Sequence, residues 1–241
     1  MSRLFEELDY QETPLGELIL RRRRMRSLGD REIYEVILGN GYLMSSLFTT
    51  VEIALADLGL AEVEGSKLDV VVGGLGLGYT AQAALKDERI DSLLVVEFMS
   101  HVIGWHERGL VPLGEELSND PRCRFVEGDF FALSEGEGFD PDRPDRVFDA
   151  ILLDIDHSPR NLIHERHGGF YTPDGLRKFA TRIRPGGVFA MWSDDPPDEK
   201  FMTDLAEVFP ETDARVVRFP NPILEKDSES TVYLCRRAGR D

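Results

Sequence analysis

The sequence predicts an α/β protein with a doubly wound, mostly parallel sheet, preceded by a small β-rich segment. Three observations support this prediction. From residue 68 onward, short apolar runs alternate with amphipathic stretches, as strands and crossover helices do in a parallel sheet. A cluster of glycines separates the first of these strands from its helix. The first 60 residues instead contain runs typical of antiparallel strands and a hairpin signal.

The N-terminal segment, residues 1–60, is predicted to form a β-rich subdomain with a connecting helix. Its strands are expected at 15–24, 32–38 and 42–45, with Asn40-Gly41 as a hairpin turn. Apolar residues at helical spacing predict a helix over 47–58. Four consecutive arginines lie in the first strand, where alternate side chains point to opposite faces. We therefore expect solvated or acid-paired arginines and no one-sided basic patch.

Residues 61–241 are predicted to form a Rossmann-like domain. Its strands are expected at 68–72, 93–96, 124–126, 147–153 and 188–192, and its helices at 80–86, 100–108, 173–183 and 199–209. Two last strands, at 215–219 and 231–236, are expected to pair as an antiparallel hairpin, which reverses the C-terminal strand. The acidic stretch 134–145 is predicted to be a loop, either an active-site flap or an inert surface excursion. Ligands of such sheets lie beyond the carboxyl ends of the strands.

The charge of the chain limits its partners. Forty-five acidic and 28 basic residues give a net charge of −17. A field of this sign repels phosphate, which argues against nucleic acid or an anionic membrane and weakly favours a cationic ligand. The sequence has no apolar signal core at its N-terminus and no run of the ~18 apolar residues that a membrane helix needs. We therefore predict a soluble cytoplasmic protein.

The glycine cluster after the first parallel strand is the first candidate for a binding site. Gly74, Gly76 and Gly78 leave room for the backbone to turn tightly and approach a ligand, with N–H groups at the start of a helix. A dinucleotide fingerprint would need its third glycine at position 79, which is Tyr79. The spacing therefore argues against a nicotinamide dinucleotide.

Two acids follow the next two strands in order. Glu97 ends the second strand, where a carboxylate can accept hydrogen bonds from both hydroxyls of a ribose. Asp129 follows the third strand, where it can accept a hydrogen bond from the amino group of adenine. Together with the glycine loop, these acids predict an adenosine-binding site. Trp192 and Tyr171 are candidates for stacking on a ligand, but we expect them to pack in the core.

The chain resembles the class I S-adenosylmethionine-dependent transferases and, within them, the spermidine synthase (polyamine aminopropyltransferase) family. The resemblance covers most of the chain and depends on its β-rich start and on several motifs, namely Val72 to Gly78, Val96-Glu97, Asn119 to Arg122, Gly128-Asp129, Phe148 to Asp154 and Arg184 to Gly187. It implies a donor domain over residues 61–241, with S-adenosylmethionine or its decarboxylated form as donor. It also implies a small acceptor, possibly an amine, and a homodimer that pairs through the N-terminal strands.

The resemblance places the catalytic aspartate of the family at Asp154, at the end of the fourth strand. A carboxylate there is expected to orient an attacking amine and accept its proton. His157, three residues on, is a candidate base or acceptor-orienting group.

A second interpretation of this region is a metal site, since two aspartates and three histidines lie within fourteen positions: Asp154, Asp156, His157, His164 and His167. The spacing of the last two histidines does not match that of a two-histidine zinc site. We therefore predict a polar active-site loop or an exposed surface, and no metal.

The chain also departs from the family pattern. Gly76 stands where the synthases carry an aspartate, and His157 stands at their second acid. Further family positions in the N-terminal segment are Met44 and Thr50-Val51. Three functions therefore stay open, all of them within the same fold. They are transfer of an aminopropyl or methyl group to a small nucleophile, methyl transfer to an unknown substrate, and a non-catalytic nucleotide-binding dimer.

Overall fold

The computed structural model describes residues 4–239 and contains two sheets. The first is a four-stranded antiparallel sheet in the order β1-β2-β3-β4, and its strands are β1 (Phe5–Thr13), β2 (Gly16–Met25), β3 (Arg31–Leu38) and β4 (Gly41–Ser45). A short 3₁₀ helix, Arg26–Leu28, joins β2 to β3. The sequence predicted β2, β3 and β4 but not β1, because its run FEELDYQET has too few apolar residues to stand out as a strand.

The turn between β3 and β4 differs from its prediction by one residue. Leu38 pairs with Gly41, so the two turn residues are Gly39 and Asn40. Gly39 has φ +58°, a left-handed conformation in which glycine is least strained. The predicted hairpin is therefore correct, but its Asn40-Gly41 turn is wrong.

The run of four arginines is paired with acids on both faces of β2. Arg21 and Arg23 donate to the two carboxylate oxygens of Glu35 at 2.7 and 2.9 Å, and Arg22 donates to Glu6 at 2.6 Å. Glu35 is only 2% exposed. These pairs agree with the prediction of acid-paired arginines, and they neutralise a carboxylate that would otherwise be buried with its charge unpaired.

The second sheet has seven strands in the order β10-β11-β9-β8-β5-β6-β7. Its strands are β5 (Leu68–Gly73), β6 (Ile90–Glu97), β7 (Cys123–Glu127), β8 (Phe148–Leu153), β9 (Ile183–Ser193), β10 (Glu211–Asn221) and β11 (Lys226–Arg236). Five of them are parallel neighbours, and β11 runs antiparallel to both β9 and β10. The predicted fold class, with its reversed C-terminal strand, is confirmed.

Seven α-helices connect these strands, namely α1 (Thr50–Ala61), α2 (Tyr79–Leu85), α3 (Ser100–Glu107), α4 (Gly114–Asn119), α5 (Phe130–Glu135), α6 (Pro173–Ala180) and α7 (Glu199–Ala206). A second 3₁₀ helix covers Glu165–Gly169. The helix predicted from Pro173 ends three residues early, because β9 begins at Ile183. The short helices α4 and α5 have too few turns to show an apolar period, and the sequence did not predict them.

Helix α1 packs on the large sheet. A Cβ on Gly59 would lie 2.7 Å from Leu152 and 3.0 Å from Ala190, so only glycine allows α1 to approach β8 and β9 this closely. In the sequence, α1 follows the last strand of the small sheet and precedes the first strand of the large sheet. In space, it packs against the large sheet. The division of the chain at residue 60 stays a prediction.

The acidic stretch 134–145 lies away from the carboxyl edge of the large sheet. Its first two residues end α5, and Asp140 is 2% exposed and accepts hydrogen bonds from Arg124 and Arg146. Arg146 also pairs with Asp69, near the amino end of β5. These ion pairs hold the stretch at the edge opposite the strands' carboxyl ends, so it is a structural connection and not an active-site flap.

Asp140 is expected to contribute acid-sensitive stability. Burial disfavours its charged form, but hydrogen bonds from Arg124 and Arg146 outweigh burial and lower the pKa of Asp140 to about 2. A lowered pKa stabilises the fold above the ordinary pKa of 3.8, and this contribution is lost as the pH falls from there toward 2. Asp140→Asn should therefore lower the free energy of unfolding at pH 7 by about 2 kcal/mol.

Urea unfolding at pH 7 and pH 3 measures this effect. The matched control is Asp142→Asn, because Asp142 also pairs with Arg124 but is exposed, and it should cost under about 1 kcal/mol. Equal losses in the two variants, or a loss for Asp140→Asn that does not shrink at pH 3, would contradict the prediction.

In the part of the chain that the structure describes, no helix has the length and apolar composition needed to cross a membrane. The cytoplasmic location stays a prediction.

Candidate active site

A cavity of about 740 Å³ lies at the carboxyl edge of the large sheet and is covered by strands β3 and β4 of the small sheet. This volume is in the upper part of the ~300–1,000 Å³ range of small-molecule sites. Six of the seven residues predicted for the site line the cavity, namely Gly74, Gly76, Glu97, Asp129, Asp154 and His157. The seventh, Gly78, does not.

The glycine loop approaches the cavity with its first two glycines. Gly74 has φ +95°, and a Cβ there would overlap the carbonyl oxygen of Asp154. A Cβ on Gly76 would overlap the sulfur of Met44, which also accepts a hydrogen bond from the Leu77 N–H at 2.9 Å. Gly78, with φ +92°, packs instead against Leu117. Gly78 allows the turn and the packing of α4, and its predicted ligand-binding role stays a prediction that the cavity lining does not support.

His106 stabilises the glycine loop through a hydrogen bond. Burial lowers the pKa of His106 to about 4, so the imidazole is neutral, and its Nε2–H donates to the carbonyl oxygen of Gly76 at 2.9 Å. The sequence did not single out this residue, because a histidine within a helix has no local pattern that marks such a contact.

Glu97 is buried between the glycine loop and the chain that follows β6. One carboxylate oxygen accepts from the Leu75 N–H at 3.0 Å, and the other accepts from the Met99 N–H at 2.8 Å. Burial raises the pKa of Glu97, while these backbone donors oppose the shift. Each carboxylate oxygen has a further lone pair, so Glu97 can still accept from a ligand's hydroxyls.

Asp129 begins α5 and is already engaged by the protein. Its Oδ1 accepts from the N–H groups of Phe131 and Ala132 at 3.0 and 3.3 Å, and its Oδ2 pairs with Arg166 at 3.1 Å. Arg166 also lies over the ring of Phe98, 5.5 Å from its centroid. Contact between Asp129 and an adenine amino group stays a prediction, and a ligand there would meet this arginine.

Asp154 faces the cavity and is otherwise enclosed by protein. Its Oδ2 accepts a hydrogen bond from the Thr80 hydroxyl at 2.6 Å. Burial raises the pKa of Asp154 to about 6, against the opposing effect of that hydrogen bond. A second carboxyl, Glu52 of α1, lines the same cavity. Burial, followed by repulsion from Asp154, raises the pKa of Glu52 to about 8. The two acids form a carboxylate pair that holds at least one proton more readily than ordinary carboxyls do.

The residues after Asp154 separate into two groups. His157 lines the cavity, and its ring lies edge-on to Trp192 with centroids 6.3 Å apart. Asp156 is instead buried and accepts from His167 at 2.9 Å and from the Tyr171 hydroxyl at 2.9 Å. Tyr171 thus packs in the core as expected, whereas Trp192 is partly exposed to the cavity. Among residues 4–239, no three His, Cys, Asp or Glu side chains are grouped to hold a metal ion.

Two solved structures share this architecture over nearly the whole chain. One is a crystal structure of spermidine synthase in complex with the transition-state analogue AdoDATO, with a TM-score of 0.71 and 16% identity over 97% of this chain and 74% of that one. The chain has the spermidine synthase fold. A second is the spermidine synthase from Thermotoga maritima, with a TM-score of 0.70 and 16% identity over 97% of this chain and 73% of that one. No protein-family model and no curated protein matches the sequence.

Within this spermidine synthase fold, Glu52 is the cavity acid that the sequence did not reveal. It lies in the first turn of a helix whose other residues are mostly apolar, where an acid is ordinarily a favourable partner of the helix dipole. Its position beside Asp154 depends on the packing of α1 against the large sheet. The sequence signal that could have identified Glu52 is an acidic residue on the apolar face of this helix, because charged side chains are rarely buried without a reason.

Proposed function

We propose that the protein is a transferase that moves an alkyl group from an S-adenosyl sulfonium donor to a small amine. The observation that carries the proposal is the Asp154–Glu52 pair, which lies beside the glycine loop in the same cavity as Glu97. A pair of carboxyls in a protein-enclosed site attracts a cationic amine and can take its proton. The shared fold with spermidine synthases, one of them holding AdoDATO, supports placing this chemistry in the cavity.

The strand order supports a linear arrangement of the two substrates. Asp129 follows β7, Glu97 ends β6, Gly74 and Gly76 follow β5, and Asp154 follows β8. These strands are neighbours in the order β8-β5-β6-β7, so the adenosine-binding candidates lie on one side of the glycine loop and Asp154 on the other. Under the proposal, Glu97 holds the ribose, Asp129 the adenine and the loop the sulfonium.

The proposed step needs positioning and one proton transfer. After the bound ammonium group has lost a proton, its nitrogen lone pair forms a bond to the carbon next to the sulfonium as the carbon–sulfur bond breaks. The electron pair of the broken bond stays on sulfur, which becomes a neutral thioether, and the positive charge passes to the product amine. Asp154, hydrogen-bonded to Thr80, accepts the proton that the amine loses. Holding both reactants in line supplies much of the rate acceleration.

Methyl transfer is a second candidate, and the contact between Gly76 and Met44 favours it. The sulfur of Met44 occupies the space that a side chain at position 76 would need, so an uncharged group lies there. A donor that keeps its carboxylate would be repelled by an acid at this point and is not repelled by a thioether. Transfer of a methyl group from S-adenosylmethionine then uses the same Asp154 chemistry.

Calorimetric titration with S-adenosylmethionine, its decarboxylated form and methylthioadenosine tests the proposal and separates its two forms. Tighter binding of the decarboxylated donor supports aminopropyl transfer, and tighter binding of S-adenosylmethionine supports methyl transfer. If none of the three binds, the proposal is wrong. Donor binding without transfer to any amine would instead identify the non-catalytic relative. A homodimer remains a prediction from the resemblance, and a cytoplasmic location remains a prediction from the sequence.

Amine binding is expected to strengthen as the pH rises through the pKa values of the carboxylate pair. The two raised pKa values, about 6 for Asp154 and about 8 for Glu52, mean that a proton must leave before a cationic amine finds both acids ionised. At pH 7, binding of n-butylamine should therefore release protons into the buffer. Titrations in two buffers of different ionisation enthalpy measure this release. Glu52→Gln should abolish most of it, and an equal release by the variant would contradict the role of Glu52.

A further inference from the structure

The cavity continues past the carboxylate pair along an apolar surface that the adenosine-binding candidates do not use. We call this surface the apolar wall and define it by six residues that line the cavity: Phe48, Val51, Trp192, Phe219, Ile223 and Leu224. They come from the connection before α1, from α1 itself, from β9 and from the β10–β11 hairpin.

The pairing register places the apolar wall next to Asp154. Leu153 of β8 pairs with Met191 of β9, so Trp192 follows at the level of Asp154 on the neighbouring strand. The rings of Phe48 and Phe219 lie against each other with centroids 6.1 Å apart, and Phe48 precedes Glu52 by four residues in the chain, just before α1 begins. The wall thus begins at the carboxylate pair and extends away from the glycine loop, toward β10.

The outer part of the wall is the tip of the β10–β11 hairpin. Ile223 and Leu224 are 53% and 56% exposed there, which is unusual for large apolar side chains that border a cavity. Their N–H groups both donate to the Asn221 side-chain oxygen, at 3.0 and 3.1 Å, and Asn221 in turn donates to Ser228 at 3.0 Å. The turn is therefore held in one shape that presents two apolar side chains at the mouth of the cavity.

The other carboxylates of the cavity are poorly placed to hold a second ammonium group. Glu35 already pairs with Arg21 and Arg23, and Asp129 pairs with Arg166. Glu97 lies on the far side of the glycine loop and is bound by backbone N–H groups.

Asp194 remains at the rim of the cavity. It is exposed to solvent, and its carboxylate accepts a long hydrogen bond from the Ser230 hydroxyl, at 3.4 Å. A cation at such an exposed position stays largely solvated and gains little from the ion pair.

We propose that the acceptor is a primary monoamine with an apolar alkyl or aryl body. This inference rests on the proposed function and names the substrate class of the same site. The amino group lies at Asp154 and Glu52, and the body lies along the apolar wall. A diamine of similar length would place its second ammonium group against that wall, where desolvation of a charge without a partner is costly. An alkyl group in the same place gains free energy by leaving water.

Two amines of equal length test the inference. n-Hexylamine and pentane-1,5-diamine differ only in whether the far end is a methyl or an ammonium group. With the protein saturated by methylthioadenosine, we expect calorimetry to show n-hexylamine binding at least about tenfold more tightly, the effect of burying one or two CH₂ equivalents. Equal or tighter binding of the diamine would overturn the inference.

The double variant Ile223→Ser/Leu224→Ser tests the wall itself. Both side chains are exposed, so the variant should fold, and it should bind n-hexylamine about five- to tenfold more weakly while binding methylthioadenosine as before. Val216→Ser is the matched control, because Val216 is also exposed on β10 but does not line the cavity. Unchanged n-hexylamine affinity in the double variant, or an equal loss in the control, would overturn the inference.

The outcomes separate the two proposals. If S-adenosylmethionine, its decarboxylated form and methylthioadenosine all fail to bind, the proposed function fails and the inference fails with it. If methylthioadenosine binds but pentane-1,5-diamine is the tighter amine, the transferase proposal stands and only the monoamine inference is wrong.

Discussion

Asp154→Asn is expected to retain donor binding and to lower turnover by about 10²- to 10⁴-fold, the usual contribution of a positioned general base. The asparagine side chain has nearly the same shape and can still accept the Thr80 hydrogen bond, but it cannot take a proton from the attacking amine. The measurement is the rate of alkyl transfer to the best amine found by titration, together with the dissociation constant of methylthioadenosine.

The unfolding temperature of Asp154→Asn distinguishes a chemical role of Asp154 from a structural one. Because burial raises the pKa of Asp154, ionisation of this carboxyl destabilises the fold at pH values above its pKa. Asp154→Asn should therefore unfold at the same temperature as the wild type at pH 8, or at a higher one. Asp213→Asn, at an exposed position of β10, is the control and should change neither turnover nor unfolding. Unchanged turnover in Asp154→Asn would remove its proposed role.

Glu97→Ala is expected to weaken binding of methylthioadenosine by about ten- to a hundredfold. The estimate corresponds to loss of charged hydrogen bonds worth about 1.5–3 kcal/mol, with tenfold in affinity for every 1.4 kcal/mol. The variant also removes the acceptor of the Leu75 and Met99 N–H groups, so the glycine loop loses its support. Both effects act on the donor and neither acts directly on the amine.

The neighbouring strand offers a matched control for Glu97. Glu127 pairs with Glu97 in the register of β6 and β7, but it is exposed and does not line the cavity. Glu127→Ala should leave the dissociation constant of methylthioadenosine unchanged. If Glu97→Ala also leaves it unchanged, the ribose is not bound at Glu97, whatever happens to the unfolding temperature.

Strands of the large sheet were predictable because they are buried on both faces and therefore appear as short runs of apolar residues, such as those of β5 and β8. The polar edge strand β1 has no such run, and the six-residue helices α4 and α5 are too short to show a period. The last hairpin was predicted, but β10 and β11 begin four and five residues earlier than expected and β10 ends two residues later, in stretches that are mostly polar.

Candidate residues at strand ends were predictable for a similar reason. In a parallel sheet, the carboxyl ends of all strands meet at one edge, so Glu97 and Asp154 reach the same cavity wherever the helices run. Glu52 and Trp192 were not predicted as cavity residues, because α1 and β9 bring them beside Asp154 from distant parts of the chain. Gly78 had the same local pattern as Gly74, but in the structure Leu117 and His106 lie against it and it does not line the cavity.

The sequence by itself determined the fold class, the order of the parallel strands along the chain and the acids at their ends, because these follow from local apolar patterns and from a rule common to all parallel sheets. Only the tertiary structure decided which acids form a pair, which aromatic side chains border it and where the chain's acidic stretch lies. The physical reason is that a carboxyl's pKa and partners depend on burial and on neighbours across space. The same residue type therefore neutralises arginines at Glu35 and faces another acid at Glu52.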